Sequence, residues 1–315
     1  MSELLATVDA RTRLAGTNRL EMLLFSLGED CQTGRREIFG INVFKVREVT
    51  RRPPITRSPD LPPGVEGMVS LRSHLTPVIN LGHFARVATS DPLELMITTE
   101  YNGRVQGFLV HSVETILRLD WSQMKVPPAM ISAEKNGAVT AVAELKDGRL
   151  VMMLDVERVL AETTPHNDDY DFQQLVPVTQ ANITVFFADD STVARKQIER
   201  TLDALNLRHI AAVNGADAWR ALCRIADQAA ERKLPASNEV QLIITDVEMP
   251  EMDGFMLTKK IRSDPRFRGI PILMHSSLSG ESNQLLGLAN GVDEYIPKFE
   301  ARRFAEIVSR HLKLE

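Results

Sequence analysis

The spacing of apolar residues changes partway along the chain, and the change divides it. In the second half, short apolar runs at 183–188 (ITVFFA), 242–244, 270–274 and 292–297 alternate with stretches of helical period at 193–205, 217–231 and 255–261. Apolar runs of this length suit strands covered on both faces, and strands alternating with helices imply right-handed crossovers and a parallel sheet. In the first half the period is two: Leu20, Met22 and Leu24, then Ile41 and Val43, with further strands predicted over 93–98, 105–110 and 150–154. Asn102-Gly103, Asn136-Gly137 and Asp147-Gly148 are hairpin signals, because a type I′ turn needs positive φ at both central residues. Many short strands joined this way predict an all-β barrel or a pair of barrels, with one helical turn over 156–161.

The connections complete the organisation. Leu4, Leu5, Val8 and Leu14 predict a short helix within 1–17, and 28–37 reads as a polar loop. Residues 232–239 read as a surface insertion. The stretch 162–182 carries Asp168, Asp169, Asp171, Pro165 and Pro177, with no Lys or Arg between 159 and 194, and reads as an acidic, extended linker. The predicted layout is an N-terminal helical segment 1–17, a β domain 18–163, a linker 164–181 and a doubly wound α/β domain 182–315.

A parallel sheet brings the carboxyl ends of its strands to one crevice. The first run ends in Asp189-Asp190, with Ser191-Thr192 placed to cap a helix, and the second ends in Asp246. The third ends in His275-Ser276 and the fourth in Lys298. Taken singly, each of these reads as a cap, a turn residue or a surface pair. Together they put three acids, a hydroxyl and an ammonium at one edge. Three carboxylates repel one another in a partly desolvated crevice and are tenable only with a cation among them. Mg2+ fits best, since it takes few protein carboxylates and keeps positions for water or phosphate oxygens. Asp246 is then the expected carboxylate nucleophile, giving an aspartyl phosphate, with Lys298 and Ser276 holding phosphoryl oxygens. In the β half, His74, His83 and His111 show no metal-ligand spacing and there is no Gly-rich phosphate loop, so a non-catalytic binding module is expected.

Composition narrows this further. The chain has 315 residues, a formal charge of -5, 43% hydrophobic and 25% charged residues, which suits a soluble protein of two domains. No apolar run approaches the roughly 18–20 residues of a membrane span. Glu3 and Asp9 interrupt any signal-peptide pattern, and Cys31 and Cys223 are too few for a disulfide framework or a zinc site, so a reducing cytoplasm is expected. The acidic total and the lack of a basic recognition helix argue against DNA binding. An aspartyl-phosphate phosphatase remains a rival, although its nucleophile and acid usually lie two apart on one strand end, whereas Asp189 and Asp190 are adjacent and Asp246 lies elsewhere.

On these residues, the chain from about 181 to 315 resembles a CheY-like response-regulator receiver domain. The resemblance implies that Asp189 and Asp190 are the acidic pair, Asp246 the phosphoacceptor, Ser276 the hydroxyl and Lys298 the lysine. It also makes the backbone carbonyl of Glu248 a third protein ligand to magnesium and Tyr295 the switch aromatic. The usual Lys-Pro is replaced by Pro297-Lys298-Phe299, so a different local turn is expected. Residues 18–163 resemble a CheW-type coupling domain through LLFSLG at 23–28, FGINVFKVREV at 39–49 and GMVSLRSHLTPVINL at 67–81. That family is built of two small five-stranded barrels and links chemoreceptors to the histidine kinase CheA. The resemblance places Val43, Val46, Glu48 and Arg72 at partner contacts. Ser70-Leu71-Arg72-Ser73 stands where the family has Asn-Leu-Arg-Gly. The two pieces in this order are similar to the CheV family of coupling proteins. This implies a cytoplasmic chemotaxis adaptor at receptor arrays, phosphorylated on Asp246 from CheA with Mg2+, not itself an enzyme, acting as a switch or as a phosphate sink.

Overall fold

The computed structural model describes residues 19–163, 177 and 182–314, apart from 58, 60, 73, 102, 103, 136, 277–287 and 299. The predicted helix in 1–17, nearly all of the linker 164–181, the Asn102-Gly103 turn and Ser73 lie outside the described residues. The chain divides near residue 165 into two compact units.

The first unit carries β1 (Arg19–Glu29), β2 (Arg36–Asn42), β3 (Val46–Arg51), β4 (Val65–Leu71), β5 (His74–Asn80), β6 (Leu95–Tyr101), β7 (Arg104–Val110), β8 (Ser112–Asp120), β9 (Val139–Glu144) and β10 (Leu150–Leu154). They form two five-stranded sheets, ordered β8-β1-β2-β10-β9 and β3-β6-β7-β5-β4. β2 pairs parallel with β10 and β5 with β7, while β1–β2, β9–β10, β3–β6, β4–β5 and β6–β7 are antiparallel. β1 shows how the sequence drives this. Its alternate residues enter two different cores, Leu23, Phe25 and Leu27 on one side and Leu20, Met22 and Leu24 on the other, so it is buried on both faces. The first core also takes Phe39, Ile79 and Phe108 from both sheets, together with Val156, Val159 and Leu160 of a helix, Val156–Thr163. That helix is longer than the single turn predicted over 156–161. Asp155 accepts a hydrogen bond from the Arg158 amide, and Arg158 pairs with Glu162 one turn on, which carries it forward.

The turn signals divide. Tyr101 pairs with Arg104, as expected of a β6–β7 hairpin. The Asp147-Gly148 turn joins β9 to β10 but spans 145–149 rather than two residues, with the Gly148 amide bonded to the Leu145 carbonyl. Gly137 follows a helix, α1 (Leu81–Ala85) being the first among the described residues and α2 (Ala129–Glu134) the one in question, and is not the turn of a hairpin. Its φ of 70° and its amide bond to Ser132 O end that helix, and positive φ is the property shared by a type I′ turn and a helix stop. The loop expected over 28–37 is shorter, because Glu29 pairs with Arg36.

The second unit is the parallel sheet expected. β11 (Thr184–Ala188), β12 (Arg208–Ala212), β13 (Leu242–Thr245), β14 (Ile272–Ser276) and β15 (Glu294–Pro297) lie in the order β12-β11-β13-β14-β15, with every neighbouring pair parallel. Taking Val156–Thr163 as α3, the helices are α4 (Thr192–Ala204), α5 (Gly215–Glu231), α6 (Gly254–Ser263) and α7 (Ala301–Leu312). Leu242 and Ile244 face a core with α4 and α7, and Ile243 faces one with α5 and α6, which is why the run carries no polar alternation. Ser191, Asn214 and Asp253 cap α4, α5 and α6 through side-chain oxygens that accept backbone amides. The stretch 232–239 is not wholly a surface insertion, since Ala236 in its short 3-10 turn is buried.

Candidate functional site

The site lies at the carboxyl edge of β11, β13, β14 and β15. The Asp246 amide donates to Ala188 O at 2.8 Å, so the first and second acidic strand ends are tied together by backbone. Asp189, Asp190 and Asp246 each offer a carboxylate oxygen within 4.8 Å of the others. Asp189 is fully buried, Asp246 nearly so, and Asp190 half-buried. Lys298, also fully buried, places Nζ 2.9 Å from Asp189 Oδ2 and 3.2 Å from Asp246 Oδ2. The departure at Pro297-Lys298-Phe299 therefore leaves the lysine inside the crevice, although Phe299 lies outside the described residues. The Lys298 amide donates to Ser276 O, and Ser276, buried on the neighbouring strand, pairs in register with Pro297.

Charge arithmetic tests the expected metal. Three carboxylates at -1 and one ammonium at +1 leave a formal -2 on the described cluster, held in a crevice where like charges are costly. The three candidate ligand atoms are hard carboxylate oxygens. Such a set fits a small divalent cation of the magnesium type, with Asp189, Asp190 and Asp246 as the side chains that would hold it.

Tyr295 pairs with Met274 on β14. Its ring is half-exposed while its hydroxyl is shielded from solvent. Burial raises the phenol well above its ordinary range, the Ser276 hydroxyl draws it partly back, and the carboxylates of Asp246 and Glu248 push it further. The phenol is close enough to feel Ser276 without reaching hydrogen-bonding geometry. Glu248 is buried, and its carboxylate lies near enough to act on the Tyr295 phenol.

Two residues at the site were not singled out by sequence. His275, buried on β14, has Nδ1 4.0 Å from Asp189 Oδ2 and packs edge-on against Phe304. Arg195, one turn into α4, donates from its guanidinium to Asp189 O at 2.8 Å. The His275 signal was a polar residue closing an apolar run; Arg195 looked like any helix-surface cation.

The four residues expected at a partner surface separate. Val43 opens a short 3-10 turn, Val43–Lys45, and lies in the first core at 9% exposure, so it presents no surface. Val46, after the turn, is half-buried against the same core. The break between them is the bend that two valines three apart need to share a side. Glu48 and Arg72 are accessible and pair at 3.2 Å. No helix among the described residues is long and apolar enough to cross a membrane.

Comparison with known proteins agrees with this architecture. Residues 21–164 match the CheW-like domain and residues 185–309 the response regulator receiver domain. Chemotaxis protein CheV3 of Helicobacter pylori is 31% identical over 281 residues, 87% of this chain and 88% of its own. Chemotaxis protein CheV1 of the same organism is 27% identical over the whole of both chains. Among solved structures, the scaffolding protein TtCheW from Thermoanaerobacter tengcongensis is 24% identical with a TM-score of 0.38, covering 44% of this chain and 84% of its own.

Proposed function

This chain belongs to the CheV family of chemotaxis proteins, and from that premise we propose that it couples chemoreceptors to the histidine kinase CheA in a manner regulated by phosphorylation of Asp246. The observation that carries the reading is the buried triangle of Asp189, Asp246 and Lys298 on a body fused to a CheW-like domain. In the proposed transfer, an Asp246 carboxylate oxygen attacks phosphorus, the P–N bond of a kinase phosphohistidine breaks, and imidazole leaves with the electron pair. Mg2+, held by Asp189, Asp190, Asp246 and the Glu248 carbonyl, would neutralise charge on the incoming phosphoryl group. Lys298 then exchanges part of its contact with Asp246 for a phosphoryl oxygen, and Ser276 donates to another. Ser276 and Tyr295 lie side by side, so drawing the hydroxyl towards the phosphoryl group alters the packing of the ring. Partner contacts are assigned to the surface around Glu48, Arg72 and Val46. The protein would work in the cytoplasm beside receptor arrays, as an adaptor rather than an enzyme.

The test is reconstitution of the full chain with CheA and receptor-bearing membranes. Labelled phosphate and kinase activity are followed for wild type and Asp246→Asn, with and without EDTA. Label that is lost in the variant and in EDTA, together with a changed affinity for kinase or receptor on phosphorylation, supports the regulated coupler. Label that arrives while both affinities stay fixed makes the receiver a phosphate sink. Label on another residue ends the assignment.

A further inference from the structure

We propose that a basic groove on the CheW-like body docks a carboxylate-rich segment of a partner protein. This goes beyond the coupling reading, because it invokes neither phosphate nor metal. The groove encloses about 750 Å3 and carries Arg52, Arg57, His83 and Arg86 on its walls, all exposed. Two acids share the lining, and both are engaged. Asp91 accepts from the Glu29 amide and pairs with Arg36, each at 3.0 Å, while Glu66 accepts from Asn80 and meets Arg57 only at 3.5 Å. The guanidinium groups of Arg52 and Arg86 have no carboxylate or carbonyl partner among the described residues. A concave surface that keeps cations without counter-charge attracts an anion from solution.

The backbone supplies a second observation. Arg86 ends α1 in the left-handed region, at φ 51° and ψ 48°. That conformation is strained for an L-residue, and glycine would adopt it freely. A long cation is kept where the chain would be more comfortable with no side chain at all, at the rim of a groove whose two acids already have partners.

The occupant that fits is a peptide with several carboxylates. The cations come from separate pieces of chain: Arg52 just after β3, Arg57 in the connection to β4, and His83 and Arg86 on and after α1. They are spread along a cavity far larger than one tetrahedral anion. Val87, Pro92, Leu93 and Leu109 line it too, giving the apolar contact that peptide side chains use. Planar guanidinium groups match carboxylates in a two-point fork.

The experiment uses the full chain and a short fluorescein-labelled oligo-glutamate peptide, read by anisotropy, with an oligo-glutamine peptide of equal length as control. Charge reversal at Arg52→Glu with Arg86→Glu is expected to weaken binding at least about tenfold, and added salt to weaken it in the wild type. Arg86→Gly removes the cation and relieves the left-handed strain, so it is expected to weaken binding while the melting temperature holds or rises. That outcome separates loss of docking from loss of fold. The proposal is overturned if both variants bind as wild type, or if oligo-glutamine binds equally. It is overturned too if reversing Arg208 and Arg224 on the receiver weakens binding as much, or if millimolar inorganic phosphate displaces the peptide fully, which would make the groove a small-anion site.

Discussion

At Gly254 one added methyl group would decide the geometry of the loop after Asp246. A Cβ there would lie 1.9 Å from Asp246 O and 3.1 Å from Thr245 Oγ1, and the Gly254 amide is already committed to Val247 O at 2.9 Å. The nearest obstacle is the Asp246 backbone, so Gly254→Ala is expected to cost about 1–3 kcal/mol, as overpacking does. It is also expected to slow labelling of Asp246 by a small phosphodonor; unchanged urea midpoint and labelling rate would remove Gly254 from the site. The lysine admits a sharper test. Lys298 separates two buried carboxylates, and Lys298→Ala leaves them facing each other, which is expected to destabilise the receiver by about 3–5 kcal/mol in EDTA. A divalent ion supplies replacement charge, so Mg2+ is expected to restore more stability to the variant than it adds to wild type. Melting curves of the full chain with and without Mg2+ decide this, and equal Mg2+ increments in both proteins would contradict it.

At the scale of elements, Asp30 staples the β1–β2 connection to the segment after α1. It accepts from the amides of Thr33, Ala88 and Gln32 at 2.8–3.0 Å and from the Thr33 hydroxyl. The Thr33 amide first, then that of Ala88, hold its carboxyl below the ordinary carboxylate range. Because the folded value lies below the unfolded one near 3.8, the stabilisation is complete above that pH and is lost as pH falls through the folded value. Asp30→Ala is therefore expected to cost about 1–3 kcal/mol at neutral pH. The gap to wild type should narrow in urea titrations taken at successively lower pH beneath about 3.8, and a gap that stays constant would refute the role. The elements differ in how far sequence revealed them. β11, β13 and β14 were legible because strands covered on both faces are written in uninterrupted apolar letters. β12 was missed: it is the edge strand, and Arg208, Ile210 and Ala211 are exposed along it, so nothing marks it as core. Val43, placed at a partner contact by the family resemblance, is instead buried at the start of a 3-10 turn, in keeping with its place in the apolar strand pattern. At the site, the acids and Lys298 were legible as strand-end residues. The buried setting of His275 and the inward reach of Arg195 were not, because both depend on tertiary neighbours.

For the whole molecule, two compact units with separate buried cores imply that the CheW-like domain and the receiver domain fold independently. Every side chain assigned to the metal belongs to one unit. Mg2+ is therefore expected to act as a ligand of the receiver alone, adding about 2.7 kcal/mol at a concentration near 100 times its Kd. In a calorimetric scan of the full chain this raises one transition and leaves the other in place. Leu202→Ala identifies that transition: the residue is fully buried between β11 and α7, and its truncation is expected to lower the Mg2+-sensitive transition by about 2–5 kcal/mol. Asp246→Asn is expected to raise the same transition in EDTA, since one of three repelling charges is gone, and to shrink the Mg2+ increment, since one ligand charge is gone too. A single transition that moves as a unit with Mg2+ would mean that the two bodies unfold together. The coupling surface would then feel the metal directly, without needing phosphate on Asp246 to report its state.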